Sequence, residues 1–469
     1  MTEPGTSSTK LPAPVGPISY TCPGELYSIP RSIHLARIAA FYSKCRDCPH
    51  RFDQGSTVPP PSQNLSSPAA EVRRPVVRTS LLTDESVRGV YLNELTRNRA
   101  IAWGEALAAM LWDDKPLIAL PPDDGRSSVA SDPQIPIGKP ATRGPQVVVG
   151  FDERPSSPDI VTGVVLGLRR MGCPVIDLGQ TGLTVLSFHL QQSGARAGLF
   201  VTGAGCDIAM TGFELLDQGG MPFSQSDLVR MESIVNTGIG RQTRQIGGHT
   251  PVHPHALYEA SLTEHFHALR PLRVAFGTSS RQTQRTVKQI FTRLPCELTP
   301  IPLPTRKRDL LNPLDPDLQR IAKGVVDGRH HLGVVVDEDG QHCAFFTDQG
   351  RLVTVKEIAR LLVEITQRDH LSAQFIMATS LISDARVWLT GRDATAVDGG
   401  ESNSSLLRSL VDRQAAAAFS GDGRVWFRHE YVACDALIVL ANILKALSLS
   451  DTPFSEVIDR ISTAEGKSP

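Results

Sequence analysis

Cys45-x-x-Cys48-x-His50, with Cys22 upstream and His34 on the intervening segment, sets soft and borderline ligands at a spacing that suits tetrahedral zinc. A two-residue gap lets two thiolates reach one ion from a tight turn. Pro49 separates Cys48 from His50, so the pattern is not the CxxCH that attaches haem. A redox CxxC would open a helix in a βαβ context, whereas this one follows a helical pattern and precedes a linker. The set reads as a structural zinc site of Cys22, Cys45, Cys48 and either His50 or His34, with a redox pair and unliganded thiols as the alternatives. So short a segment has few residues for an apolar core, and a metal would explain why it folds.

The rest of the chain is large enough for several cores. Its 469 residues, 41% of them hydrophobic, correspond to about three or four domains. Lys and Arg number 48 against 49 Asp and Glu, a formal net charge of -1, so bulk charge points to neither nucleic acid nor an anionic membrane. The richest apolar stretch, Ala436 to Leu447, is interrupted by Asn442 and Lys445 and falls short of the roughly 18 residues of a spanning helix. The N-terminus has no charged region followed by an apolar one, and the eight cysteines are then expected to be reduced thiols or metal ligands in a cytoplasmic protein.

Residues 1–17, rich in Pro, Ser, Thr and Gly, read as a disordered tail, 18–52 as the zinc-binding module, and 53–72 as a Pro- and Ser-rich extended linker. Strand and helix patterns then alternate, which predicts an α/β fold with a substantially parallel sheet in each of three consecutive domains. In 73–245 the expected order is strand Val147–Gly150, helix Ser156–Met171, strand Val175–Leu178, helix Val185–Gln192 and strand Ala197–Val201. In 246–347 it is helix His255–Leu269, strand Leu272–Phe276, helix Arg281–Arg293, a Pro-rich connection, helix Leu318–Val326 and strand Leu332–Val336. In 348–469 it is helix Val355–Gln367, strand Ala373–Ala378, helix Ser404–Arg413, an Ala415–Phe427 segment and helix Cys434–Leu447.

Thr83-Asp-Glu-Ser-Val-Arg88-Gly89-Val90, then Glu94-Leu95-Thr96 and Gly104-Glu-Ala106, then Gly150-Phe-Asp152-Glu-Arg154-Pro155-Ser156-Ser157-Pro158, then Asp177-Leu-Gly179 and Thr184, follow one another along the chain. In this order they resemble the TDGxRG, ELT, GxA and GRDTRPSSP segments of the α-D-phosphohexomutase family of phosphoglucomutases and phosphomannomutases, and the resemblance runs over most of residues 80–445. It implies three phosphohexomutase-type α/β/α domains. It also implies a chemistry in which a phosphoserine and a sugar exchange phosphate beside a magnesium ion.

The residues that would carry that chemistry are altered. Where the family has TASHNP and NGxK, this chain has Thr202-Gly203-Ala204-Gly205-Cys206-Asp207 and Thr211-Gly212-Phe213-Glu214, so Ala204 takes the place of the phosphoserine and Glu214 that of a lysine. Cys206 or Asp207 as substitute carriers is one alternative; a small buried thiol and a turn residue are the plainer one. Of the metal loop DGDADR, Asp337 and Asp339 remain while Gln341 and His342 replace the third carboxylate and the arginine, leaving either a weak magnesium site or an ordinary solvated turn. The sugar-reading GGExSGH loop has two candidates: Gly399-Gly400-Glu401-Ser402, which shares letters, and Ser420-Gly421-Asp422-Gly423-Arg424, which fits the order of elements, with Asp435 heading the last helix. Arg424 would then meet an anionic ligand or lie exposed in a hairpin. The family's fourth, phosphate-clamping domain is expected to be absent, since Asp451–Pro469 holds no such motif.

The expectation is therefore a catalytically degenerate protein of phosphosugar metabolism. Its vestigial cleft would contain Arg88, Cys206, Asp207, Glu214, Ser420, Asp422 and Arg424, and it would bind a phosphosugar or a protein partner, with neither nucleic acid nor membrane involved. A divergent mutase with a non-serine carrier and a zinc-module scaffold are the alternatives.

Overall fold

The structure is a computed structural model and describes residues 19–40, 42–45, 47–51, 80–113, 144–238, 240, 243–370, 372–428 and 432–463. The expected tail and the core of the expected linker lie outside these residues. The chain divides after Arg78 into two compact units.

In the first unit, Ser19–Thr21 pairs antiparallel with Ser28–Pro30, placing Tyr20 opposite Ile29. Pro30 ends the pairing and precedes the helix Arg31–Ala39. The helical pattern continues to Tyr42 in sequence, but the helix stops earlier, and Ile33 is 45% exposed while His34 is buried. Among the described residues the helix packs against the short hairpin and buries the face that carries the histidine.

The second unit holds three sheets. The first runs, in spatial order, Ser86–Val90, Met210–Asp217, Ala197–Val201, Val147–Phe151, Val175–Gln180 and His249–Pro251; the last four are parallel and the first two antiparallel. Its last strand lies beyond residue 245, so the first sheet reaches past the expected boundary of its domain. The second sheet orders Glu297–Pro302, Arg273–Thr278, Leu332–Val336 and Cys343–Thr347. The third orders Thr395–Asp398, Gln374–Met377, Ala417–Phe419, Val425–Arg428 and Val432–Cys434.

Val147–Val149, Ala197–Val201 and Leu332–Val336 are buried throughout, as the uninterrupted apolar runs of parallel strands covered on both faces require. The Pro-rich connection contains a strand after all. Pro300 and Pro302 cannot donate to a ladder, and the strand Glu297–Pro302 occupies a sheet edge, where a missing N–H costs little. Helices Arg97–Asp113 and Ser157–Arg170 cover one face of the first sheet and pack closely: a Cβ on Gly104 would stand 2.5 Å from the Val164 carbonyl oxygen, which explains the glycine of the GxA segment. The expected helix from His255 to Leu269 ends at Thr263. After Ser450 the helix Phe454–Thr463 buries Phe454, Val457, Ile458 and Ile461.

Candidate functional site

Each sheet sends one loop of the same kind into a shared cleft of about 1020 Å³. The loops at 202–209, 337–342 and 420–424 leave Ala197–Val201, Leu332–Val336 and Ala417–Phe419 and return in antiparallel neighbours. Ligand sites of α/β sheets form outside such strand ends. The cleft is lined by Arg88, Ala204, Cys206, Glu214, Asp337, Asp339, Ser420, Asp422 and Arg424. Asp207 is absent from that lining: it is exposed, and its carboxylate accepts the Ala209 N–H at 3.1 Å, the role of a turn residue.

The scaffold of the first loop is intact although Ala204 carries no nucleophile. Asp152 accepts hydrogen bonds from the Thr202 hydroxyl (2.8 Å), the Gly203 N–H (3.1 Å) and the Ser157 hydroxyl, and Thr202 Oγ1 in turn accepts the Ala204 N–H at 2.9 Å. Arg154, 2% exposed, donates to the carbonyls of Cys206, Asp207 and Met210 at 2.8–3.2 Å and to the Glu338 carboxylate at 2.7 Å. One guanidinium thereby ties the first loop to the second. A Cβ on Gly203 would lie 2.6 Å from Arg154 Nη1, so glycine makes room for the clamp.

Glu214 does not present an open negative charge. Arg88 donates to it at 2.6 Å and to the Phe213 carbonyl at 3.1 Å, so each side chain neutralises the other at the cleft wall.

The second loop is satisfied by the protein's own cations. Arg308 Nη1 donates to Asp337 at 3.1 Å while its Nε holds Asp317 at 2.9 Å. Asp339 accepts from His342 Nδ1 at 2.7 Å, from Arg424 at 3.3 Å and from the N–H groups of Gln341 and His342. His342 Nε2 reaches Asp422 at 3.1 Å, and Arg424 donates to Asp422 at 2.6 Å. Burial opposes the charge of Asp339, but His342 and Arg424 outweigh it and hold the carboxyl far below the usual range. Burial likewise opposes the imidazolium, yet Asp339 and Asp422 raise His342 to about 9. Burial and the adjacent Asp339 push Asp337 up.

These residues do not fit a magnesium ion. Both surviving carboxylates are engaged by Arg308, His342 and Arg424, whose positive charges would oppose a dication, and Gln341 and Ala204 supply no anionic oxygen. Among the described residues, no group of three or more His, Cys, Asp or Glu side chains is placed to hold a metal ion.

The third loop resolves the two sequence candidates in an unexpected way. Glu401 and Ser402 line the cleft together with Ser420–Asp422. Thr395–Asp398 and Ala417–Phe419 both run parallel to Gln374–Met377, so the loops that follow them emerge at the same end of the sheet. Glu401 accepts the Ser380 N–H at 2.6 Å, where the helix Thr379–Trp388 begins. Arg424, read as an exposed hairpin arginine in one alternative, is largely enclosed by its pairs with Asp339 and Asp422. Asp435 caps the last helix through the Leu437 N–H at 2.8 Å and accepts from the Tyr258 hydroxyl; burial raises its carboxyl to about 6.

Sequence reasoning did not single out Arg308 or assign Arg154 its clamp. The signal for Arg308 was the Arg306-Lys307-Arg308 run inside a proline-rich connection. Eight carboxylates line the cleft against Arg88, Lys307, Arg308, Arg424 and His342, and all of these cations except Lys307 have carboxylate partners described above.

This three-sheet arrangement is similar in fold to solved phosphohexomutases. A phosphoglucomutase/phosphomannomutase family protein of Burkholderia thailandensis superposes with a TM-score of 0.68 at 19% identity, covering 81% of this chain and 79% of that one. A phosphomannomutase-like structure from Thermus thermophilus gives 0.63 at 15% identity, covering 82% and 83%.

By sequence, residues 137–241 match the family's α/β/α domain I of phosphoglucomutase/phosphomannomutase. The "Probable phosphoglucosamine mutase" of Methanothermobacter thermautotrophicus is 24% identical over 332 residues, 67% of this chain and 70% of its own length. The phosphomannomutase of Salmonella typhimurium is 24% identical over 308 residues, 62% of this chain and 66% of its own length, just under two thirds. The chain is thus similar to phosphoglucomutases and phosphomannomutases over about two thirds of its length, and residues 137–241 match their domain I.

Proposed function

We propose that this protein keeps the phosphohexomutase cleft as a binding site, within phosphosugar metabolism, and does not transfer phosphate. The observation that carries the reading is Ala204: the loop that would present the phosphate carrier is fully held by Asp152 and Arg154, yet it presents a methyl group to the cleft. The tied-off second loop and the Arg88–Glu214 pair remove further contributions to the same reaction. Losses of this kind each cost about 10²–10³ in rate or more.

Assays with glucose and mannose phosphates plus magnesium are expected to show no interconversion, and Ala204→Ser is expected to stay inactive because the cation site is still occupied by Arg308 and His342. Turnover by the wild-type protein, lost in Asp337→Ala, would overturn the reading. A second reading rests on Cys206, which lines the cleft two residues beyond Ala204. It requires that wild-type turnover exist and disappear in Cys206→Ser.

A further inference from the structure

The described residues of the first unit, within 19–51, hold almost no apolar core. Its buried apolar cluster consists of Tyr20, Cys22 and Ile29. Burial of so little surface, at about 25 cal/mol per Å², falls well short of the entropy lost on ordering the segment. A two-stranded hairpin and a nine-residue helix are each marginal alone.

What is buried instead is two thiols and an imidazole. Cys22 and Cys48 are each 4% exposed and His34 1%. The His34 ring stacks on Tyr20 with centroids 3.9 Å apart, and its Nε2 is buried with no hydrogen-bond partner among the described residues. An orphaned buried ring nitrogen costs about 1–3 kcal/mol, so a fold retains one only where something else engages it. The cysteines sit on tight turns: the Glu25 N–H donates to the Cys22 carbonyl at 3.0 Å and the Cys48 N–H to the Cys45 carbonyl at 3.4 Å. Arg37 donates to Cys22 Sγ at 3.2 Å, the outer hydrogen bond that favours a thiolate ligand.

We propose that Cys22, His34, Cys45 and Cys48 bind a structural zinc ion, with His34 rather than His50 supplying the imidazole. His50 is exposed and meets Tyr20 edge-on at 5.4 Å, whereas His34 offers its unpartnered nitrogen from the buried helix face. Three sulfurs and one imidazole are a closed zinc set. As placed, no three of these donors converge on one point. Binding therefore turns the side chains inward and is coupled to the folding of the segment.

The test uses the full chain expressed in zinc-supplemented medium. Elemental analysis is expected to give about one equivalent of zinc, as a closed four-ligand site requires. Cobalt substitution is expected to show the sulfur-to-metal charge-transfer absorption of a thiolate-rich tetrahedral site. His34→Ala is expected to weaken zinc binding at least 10-fold, His34→Cys to restore it, and His50→Ala to leave it unchanged, since a lost ligand costs no less than the 10–100-fold of a lost outer partner. A purified chain free of zinc, in which Cys22, Cys45 and Cys48 all react with a thiol reagent at the rate of unfolded cysteine, would overturn the proposal. So would loss of zinc in His50→Ala together with its retention in His34→Ala.

Discussion

Replacing Arg154 by Met is expected to lower the stability of the second unit by about 3–5 kcal/mol, the loss typical of a buried ion pair deprived of one partner. Three loop carbonyls and the Glu338 carboxylate would lose their donor together; Arg154 and Glu338 side chains are 2% and 9% exposed. Burial already pushes Glu338 up, and without Arg154 its charged form becomes costlier still. Denaturant unfolding would measure the loss. The variant Arg154→Met/Glu338→Leu should recover part of it, because the Glu338 charge is then no longer left unpaired, while Asp152, 3.8 Å from Arg154 Nε, still loses its cation. A loss below about 1 kcal/mol in the single variant would show that the clamp contributes no more than an exposed pair.

The second large effect is in pH. His342 is raised from its ordinary 6.5 to about 9, so its contribution to stability is fully present below 6.5 and is lost as the pH rises through 9. Asp339 and Asp422 are shifted the other way, so theirs is fully present above the ordinary carboxylate range and lost as pH falls below it through their lowered values. The network is therefore complete between about pH 4 and 6.5. The His342 shift corresponds to about 3 kcal/mol between pH 6 and pH 9.5. Unfolding profiles of wild type and His342→Gln, subtracted, isolate this contribution from other titrations. Their difference should shrink steadily above pH 6.5, and a difference that stays constant to pH 10 would mean that His342 is not charged in the folded protein.

Much of this arrangement was legible in the chain. Leu332–Val336 and Ala197–Val201 were delimited by their uninterrupted apolar runs, because a strand covered on both faces has no polar alternation to obscure its ends. The three loops were found because each keeps a few family letters at a strand end. Pairing across long separations was not legible. Arg308 meets Asp337 only because the connection after the edge strand Glu297–Pro302 brings it to that strand end, and that strand is hidden by its prolines. The substitution of His342 for arginine reads in sequence as a loss, but in space it supplies the charge that holds Asp339 to Asp422. Glu214 likewise reads as repulsion until Arg88 is seen beside it. In the first unit the burial of His34 beside an exposed Ile33 was not legible, because the polar residue and not the apolar one faces inward.

The central claim is that a preserved loop scaffold presents no phosphate carrier to the cleft. Its most direct test is intact-mass analysis of the purified full chain after incubation with glucose 1,6-bisphosphate and magnesium, with an active phosphoglucomutase treated in parallel. The account predicts that the active enzyme gains a phosphoryl group and this protein does not. A phosphorylated residue on 202–214, Cys206 included, would contradict it.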